Sequence, residues 1–290
     1  MVDAIVLNTQ GGIFVHKDYV HGYHSTENQR LHDQAGTLAD LLHGDTAYPP
    51  GHTVLEVGCG VGAQTALLAR HSSEAFIVSV EVSHASAAQA AQAARAGELG
   101  NVKVLQADLF ALPFATASFE HVFVCFVLEH LPDPLGALHA LRRVLKPGGS
   151  ITVIEGDHGS TFFHPDSALA HRAIQCLVEL QARAGGNALL GRSLYPLLRQ
   201  AGFEDVAVSP RMVYADESRP DLVEGFTRRT FTAMIEGVRE PVIKAGLMDE
   251  EAFEEGIAAL YRTAEADGVF CYTFFKAVAV KPAISSQNGV

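Results

Sequence analysis

Short apolar runs alternate with helical patterns between residues 53 and 154. The apolar runs predict five strands, at residues 53–57, 76–80, 102–106, 121–126 and 150–154. The intervening patterns predict three helices, at residues 63–70, 85–96 and 135–145. Strands that alternate with helices are joined by right-handed crossovers, which build a parallel sheet covered on both faces. The pattern therefore predicts an α/β fold with a doubly wound, Rossmann-like sheet.

The second half of the chain changes pattern. It predicts two helices, a strand, a mostly helical polar stretch and a long final strand, at residues 167–184, 193–200, 206–213, 215–268 and 269–280. We expect a seven-stranded, mainly parallel sheet with a helical lid inserted before the last strand. The expected divisions are a flexible N-terminal lid segment (1–24), a core (25–214 and 269–282), a helical substrate-lid insertion (215–268) and a disordered tail (283–290).

Composition and charge narrow the classes of partner. The chain has 290 residues, of which 48% are hydrophobic and 19% charged, enough apolar material for a sizeable core. Its formal charge of −12 disfavours nucleic acid and anionic membranes as partners. No apolar run approaches the roughly 20 residues of a membrane helix. Four cysteines without a CxxC pair predict reduced thiols in a cytoplasmic protein, and no metal site is expected.

The strongest local signal is the stretch VLEVGCGVGAQT at residues 54–65, where a predicted strand ends in glycines and a helix begins. Glycines let a ligand approach the backbone, and a helix N-terminus offers free N–H groups to an anion. By itself the motif also fits a dinucleotide-binding turn, with Glu81 as a ribose acceptor. An NAD(P)-dependent oxidoreductase of the Rossmann type is therefore one alternative.

Three acidic residues favour another ligand. Glu56 precedes the first glycine and can receive an ammonium group, Glu81 ends the second strand and can accept from both ribose hydroxyls, and Asp108 ends the third strand and can accept the amine of an adenine. Together they indicate a ligand with an adenosine and a free amino acid. S-adenosylmethionine has that composition.

The motifs resemble those of class I S-adenosylmethionine-dependent methyltransferases, and are similar to the small-molecule branch that includes ubiquinone/menaquinone-type C-methyltransferases. Besides the glycine motif, the resemblance rests on LPF (112–114), SFEHV (118–122), VLEHL (127–131) and LRRVLKPGG (141–149). It covers residues 25–156 well, and the second half only in the order of its elements. The long segment between the last two strands departs from the minimal family fold, and we interpret it as a substrate lid.

The resemblance implies a set of cofactor-binding residues. The methionine end would be lined by Glu56, Gly58, Gly60 and Gly62, and Gln64 is a further expected cofactor-binding residue. Glu81, where the family commonly has Asp, would hold the ribose. The adenine would lie against Val82, Asp108 and Leu109, and Phe126 would lie beside the bound cofactor.

The acceptor side is less defined. His158 follows the fifth predicted strand in an expected loop, and either takes a proton near the transferred methyl or only orients that loop. Tyr23, at the end of the irregular N-terminal segment, is the second candidate catalytic residue. The insertion contains Phe226, Phe231, Met234, Ile235 and Tyr261, which suggest an apolar or aromatic small-molecule acceptor.

The sequence leaves several questions open. It does not decide between C-, N- and O-methylation, or whether the acceptor is a secondary metabolite or a quinone-like compound. A non-methylating enzyme, or a binding module that retains the cofactor, stays an alternative. Homo-oligomerisation is also left open.

Overall fold

The computed structural model describes residues 30 and 33–283 and shows an α/β fold around one seven-stranded sheet. The strands are β1 Thr53–Val57, β2 Phe76–Glu81, β3 Val102–Gln106, β4 Phe119–Cys125, β5 Leu145–His164, β6 Glu204–Ala215 and β7 Val269–Val280. The helices are α1 Ala39–His43, α2 Ala63–His71, α3 His84–Ala96, α4 Pro134–Val144, α5 Ala168–Arg183, α6 Leu194–Gln200, α7 Pro220–Leu222, α8 Ala233–Glu236, α9 Arg239–Lys244 and α10 Glu250–Arg262. A π-helix, Val223–Thr232, joins α7 to α8, and short 3-10 turns are formed by Leu109–Ala111, Leu128–His130 and Leu190–Ser193.

The strand order is β3-β2-β1-β4-β5-β7-β6. The first five strands in this order pair in parallel with their neighbours. Strand β7 runs antiparallel to both of its neighbours, β5 and β6. The order reverses between β1 and β4, and open α/β sheets bind ligands at the carboxyl ends of strands beside such a reversal. The prediction of a mainly parallel, seven-stranded sheet is confirmed.

Buried side chains form one hydrophobic cluster on each face of the sheet. One cluster packs α4 and α6 against one face, with Leu138, Leu141 and Leu198 fully buried. The other cluster lies under α1, α5 and the helices of the insertion. Residues 33–37 are also helical, and Leu38 and Leu42, which follow them, are buried in this second cluster.

The insertion packs on the sheet as part of the core. Phe226 and Phe231 of the π-helix, Ile235 of α8 and Phe253 of α10 are at most 1% exposed and share the cluster with Phe270 of β7. An apolar stripe buried this way stabilises the helices through tertiary contacts. Whether the insertion also opens as a lid stays a prediction.

Strand β5 differs from the sequence prediction. Residues 155–160 were expected as a loop, but β5 continues to His164. The strand pairs with β7 at Glu155–Phe275, Gly156–Phe274 and Asp157–Thr273, and pairing resumes at Phe162–Cys271 after an irregularity. Beyond the parallel part of the sheet, the long β7 supplies hydrogen-bond partners for the backbone of β5. The strand therefore continues past residue 155. The preceding helix also ends earlier than expected, at Val144.

The C-terminal end of α1 is held by two cationic side chains from the sheet. The Lys276 ammonium of β7, 3% exposed, donates to the Leu42 carbonyl at 3.1 Å, to Thr46 and to Asp45. Arg211 of β6 also pairs with Asp45. A cation at a helix C-terminus complements the free carbonyls there. These contacts place α1 over the face of the sheet that carries Glu56.

Within residues 30 and 33–283 no helix is both long and apolar enough to cross a bilayer. The four cysteines are free and buried.

Candidate functional site

The turn between β1 and α2 depends on three glycines with positive φ. Gly58, Gly60 and Gly62 have φ of 68°, 55° and 88°. A Cβ on Gly58 would lie 2.5 Å from Cγ2 of Val127, and one on Gly62 would lie 3.1 Å from Cα of Ala90. These two glycines are therefore required by packing as well as by backbone conformation.

Gly60 differs from the glycines on either side of it. A Cβ built there would have none of the described atoms within 4 Å. Its positive φ needs glycine, yet the space above it is open. The turn therefore forms a cradle into which a ligand can approach the backbone.

Glu81 connects this cradle to the end of β2. Its carboxylate accepts the Gly60 N–H at 3.0 Å and the Ser83 N–H at 2.9 Å, and the residue is 8% exposed. Each carboxylate oxygen has two acceptor sites, so both oxygens can accept one further hydrogen bond. The structure thus brings together two of the predicted site residues, Gly60 and Glu81.

Glu56 lies beneath the same turn and is 2% exposed. Its Oε2 accepts the hydroxyls of Thr65 at 2.7 Å and Ser79 at 2.5 Å. Its Oε1 is buried and has no hydrogen-bond partner among the residues described. Burial raises the pKa of Glu56 to about 7. Gln64, on α2, has a buried side-chain oxygen that interacts with the imidazole of His43.

Asp108 lies at the end of β3 and caps the short turn that follows. Its Oδ1 accepts the Phe110 N–H at 2.9 Å, as an N-terminal cap does. Next to it, Leu109 is buried, whereas Val82 and Phe110 are 40% and 48% exposed. Exposed apolar side chains at the ends of β2 and β3 are suited to contact a flat ring, and the Asp108 carboxylate has a second oxygen for a ligand.

Phe126 follows β4 in a left-handed conformation that is uncommon for an aromatic residue, with φ of 57°. Its N–H donates to the Ile154 carbonyl at 2.9 Å, and its ring lies 5.3 Å from the ring of Phe274. Strained backbone held by surrounding contacts is frequent at ligand sites.

His158 lies on β5, in the strand that replaces the expected loop, and is 6% exposed. Its Nδ1 lies 2.8 Å from the hydroxyl of Tyr272 on β7. Burial lowers the pKa of His158 to about 3, so the imidazole is neutral and is a weak base. Tyr272 was not predicted from the sequence, because the two residues are 114 positions apart. The other candidate catalytic residue, Tyr23, lies outside the described residues, as do residues 1–24 as a whole.

Glu155 is a second residue that the sequence analysis missed. It is fully buried and accepts the backbone N–H groups of Val127 at 3.1 Å, Leu128 at 2.8 Å and Glu129 at 3.4 Å. Burial, with Glu129 nearby, raises its pKa well above the usual range. An acidic residue directly after a predicted strand was the available signal. Glu155 holds the turn that follows Phe126.

Comparison with known proteins assigns this region to a family. Residues 55–153 match the family described as Methyltransferase domain. The chain carries a methyltransferase domain. The match favours a methyltransferase over the dinucleotide oxidoreductase that the glycine motif had left open.

Two curated relatives are similar to the chain, and one of them is named as a methyltransferase. A 37.1 kDa protein in transposon TN4556 of Streptomyces fradiae is 32% identical over 190 residues, which cover 65% of this chain and 54% of the relative. The ubiquinone/menaquinone biosynthesis C-methyltransferase of Teredinibacter turnerae is 34% identical over 126 residues, which cover 43% of this chain and 48% of the relative. The chain thus spans about half the length of these curated relatives.

A solved structure shares the fold. The cyclase SpnF has a TM-score of 0.53 and 21% identity, covering 87% of this chain and 81% of its own. At this identity the likeness concerns the fold alone. The reaction has to be argued from the site.

Proposed function

We propose that this protein transfers a methyl group from S-adenosylmethionine to a small organic molecule. The observation that carries the proposal is the open cradle at Gly60, whose N–H is bonded to Glu81 at 3.0 Å. A nucleoside with a free amino acid needs close backbone approach at one end and an acceptor for ribose hydroxyls at the other, and the two lie side by side here.

The remaining site residues take their roles from their positions. Glu56 supplies a buried acidic oxygen for the ammonium group, and Glu81 accepts from the ribose hydroxyls. Asp108 accepts from the adenine amine between Val82 and Leu109. Glu56, at 2% exposure with one unpartnered oxygen in the described structure, supports a cationic ligand group at that end.

When bound, S-adenosylmethionine supplies a methyl group on a sulfonium for in-line displacement. The chain's own contribution is to position the two reactants and exclude water. Glu155 contributes by holding the turn from Val127 to Glu129, which in turn supports Phe126 beside the cofactor. No proton-transfer group is needed unless the acceptor must lose a proton.

Aromatic side chains extend from the cofactor end of β4 and favour an apolar or aromatic acceptor. The ring of Phe126 lies 5.3 Å from Phe274, which lies 4.6 Å from Tyr272, which lies 5.4 Å from Phe231. Sites for apolar ligands are lined mainly by hydrophobic and aromatic side chains, so these rings support an apolar or aromatic acceptor next to the partly exposed Phe126. The name of one relative, a ubiquinone/menaquinone C-methyltransferase, supports a quinone-like compound as one such acceptor.

We place the His158–Tyr272 pair at the acceptor side. A neutral His158 can accept the Tyr272 hydroxyl proton in a hydrogen bond, which fixes the orientation of the imidazole and of the phenol ring relative to each other. We propose this pair for orienting the acceptor, with the insertion of residues 215–268 and the N-terminal segment as covers over it.

A binding and turnover experiment tests the proposal. S-adenosylhomocysteine should raise the melting temperature of the protein, and NAD should not. Incubation with methyl-labelled S-adenosylmethionine and a panel of quinones, phenols and apolar lactones should then transfer label to at least one aromatic or apolar member. Stabilisation by NAD alone would favour an oxidoreductase. Tight S-adenosylhomocysteine binding without label transfer to any member would favour a non-methylating use of the cofactor.

A further inference from the structure

The carboxylate of Glu56 has surroundings that do not stabilise a negative charge. It is 2% exposed, and the two groups that donate to its Oε2 are the neutral hydroxyls of Thr65 and Ser79. Its Oε1 is without a donor in the described part of the chain. A buried ionised carboxylate normally has a cationic partner or several N–H donors, because its desolvation is otherwise costly.

The titratable groups that face Glu56 provide no such partner. Those with which it interacts electrostatically in the described structure are the phenol of Tyr48, on the chain entering β1, and the thiols of Cys59, in the glycine turn, and Cys125, on β4. Burial raises the pKa of all three above their usual values, so they are uncharged near neutral pH. They add neither a positive charge nor a competing negative one.

Two other acids in the same sheet show the contrast. Glu81 accepts two backbone N–H groups. Glu120 is paired with Lys146, and hydrogen bonds from Lys146 and Thr53 lower its pKa to about 2 despite partial burial. Glu56 alone among the three has only hydroxyl donors.

We propose that Glu56 carries a proton in the cofactor-free protein and releases it when the ammonium group of the cofactor docks against it. The inference rests on the proposed function, because the ligand must have a free ammonium group. The O–H bond of the carboxyl group breaks and its proton passes to the buffer. The resulting carboxylate accepts a charge-assisted hydrogen bond from the ammonium group, so total charge is conserved.

This exchange makes cofactor affinity depend on pH and on the amino group. Below about pH 7, binding must first remove the proton, and affinity for S-adenosylhomocysteine falls about tenfold for each pH unit. Above that pH the carboxylate is already ionised, and affinity becomes level. A ligand without the amino acid has no ammonium group to exchange and shows no such slope. Glu56 therefore selects cofactor forms that keep the α-ammonium group.

Calorimetry in two buffers of different ionisation enthalpy tests the proposal. Near pH 6, about one proton should be released for each S-adenosylhomocysteine bound. 5′-Methylthioadenosine, which lacks the amino acid, should bind with no proton released. Binding of S-adenosylhomocysteine without proton release would overturn the inference and leave the proposed cofactor intact. Absence of any S-adenosylhomocysteine binding would overturn both.

Three variants assign the proton to its residue. Glu56→Gln keeps the shape of a protonated acid and should bind S-adenosylhomocysteine more weakly, without a pH slope or proton release. Glu81→Gln should also bind more weakly but still release the proton. Ser79→Ala removes one hydroxyl donor and should move the onset of level affinity to higher pH. Proton release that persists in Glu56→Gln would contradict the assignment, and an unchanged onset in Ser79→Ala would do so even if Glu56→Gln failed to fold.

Discussion

Glu56 on β1 and Glu155 on β5 are both buried acids, and Glu155 directly follows the last residue of β5 that pairs in parallel with β4, yet the two carboxyl groups have different hydrogen-bond donors. Glu155 accepts three backbone N–H groups from the turn after β4. Glu56 accepts two hydroxyls and keeps one oxygen that no described group satisfies. Glu155 thus satisfies backbone N–H groups of its own chain, whereas Glu56 keeps a carboxyl oxygen without a donor among the described residues.

This difference indicates that Glu155 stabilises the fold and that Glu56 takes part in ligand binding. Backbone N–H groups buried without an acceptor are costly, so Glu155 stabilises the fold around Phe126. An unpartnered carboxylate oxygen is also costly, and a protein can retain it where a ligand supplies the missing partner. We therefore expect substitutions at the ends of β1 and β2 to change mainly the affinity for the cofactor. Substitution of Glu155 on β5 should change mainly the free energy of unfolding.

Substitution at Gly60 should have the largest effect on the ligand end. We expect Gly60→Val to abolish detectable S-adenosylhomocysteine binding, because its side chain fills the cradle and its φ is disfavoured. Gly51→Val is the matched control, since Gly51 also has positive φ (75°) and a Cβ there likewise has no described atom within 4 Å. Calorimetry should show normal binding in the control. Normal binding by a folded Gly60→Val protein would mean that the ligand lies elsewhere.

The hydrogen bonds of Glu155 to the turn after β4 predict that its removal lowers the stability of the fold. Glu155→Ala leaves three buried N–H groups without their acceptor and should lower the free energy of unfolding by about 3 kcal/mol. Urea unfolding followed by circular dichroism measures this. The control is Glu56→Gln, which should change stability by less than about 1 kcal/mol. Equal losses in the two variants would remove the distinction between the two acids.

Removal of the Glu81 carboxylate should weaken cofactor binding by about 2 kcal/mol, through the loss of charge-assisted hydrogen bonds to the ribose and of the acceptor for the Gly60 N–H. The measurement is the dissociation constant of S-adenosylhomocysteine for Glu81→Ala by calorimetry. Glu74→Ala, at an exposed acid, provides a surface control. Unchanged affinity in Glu81→Ala would exclude Glu81 from the site.

The smallest effect is expected at the acceptor side. Tyr272→Phe removes the hydrogen bond to His158 and should cost about 1 kcal/mol of stability, with unchanged S-adenosylhomocysteine affinity. Tyr261→Phe is a suitable control, because its hydroxyl donates to Glu236 in an exposed position. A large loss of cofactor affinity in Tyr272→Phe would mean that the cofactor and acceptor ends are not separate.

Local patterns along the chain determined most of the fold and the cofactor end. The predicted cofactor site is built from residues at or next to the ends of strands in the sequence. These are the glycines that follow the strand at residues 53–57 and the acids at positions 56, 81 and 108. Strand periodicity, glycine conformation and the rule that ligands bind at the carboxyl ends of parallel strands require no knowledge of distant contacts. The expected order of strands and helices followed from the same signals.

Long-range pairing decided the rest. The extension of β5 to His164 depends on β7, more than 100 residues later, and so do the contact of His158 with Tyr272 and the position of Lys276 beside Leu42. A residue's partner across an antiparallel pair, and the burial that lowers the pKa of His158 to about 3, arise only once distant segments have packed. Sequence therefore indicated where a cofactor with an ammonium group would lie, because that site is built from neighbouring strand ends. Tertiary structure determined which buried acid is satisfied and which still lacks a partner, because each depends on donors brought from elsewhere in the chain.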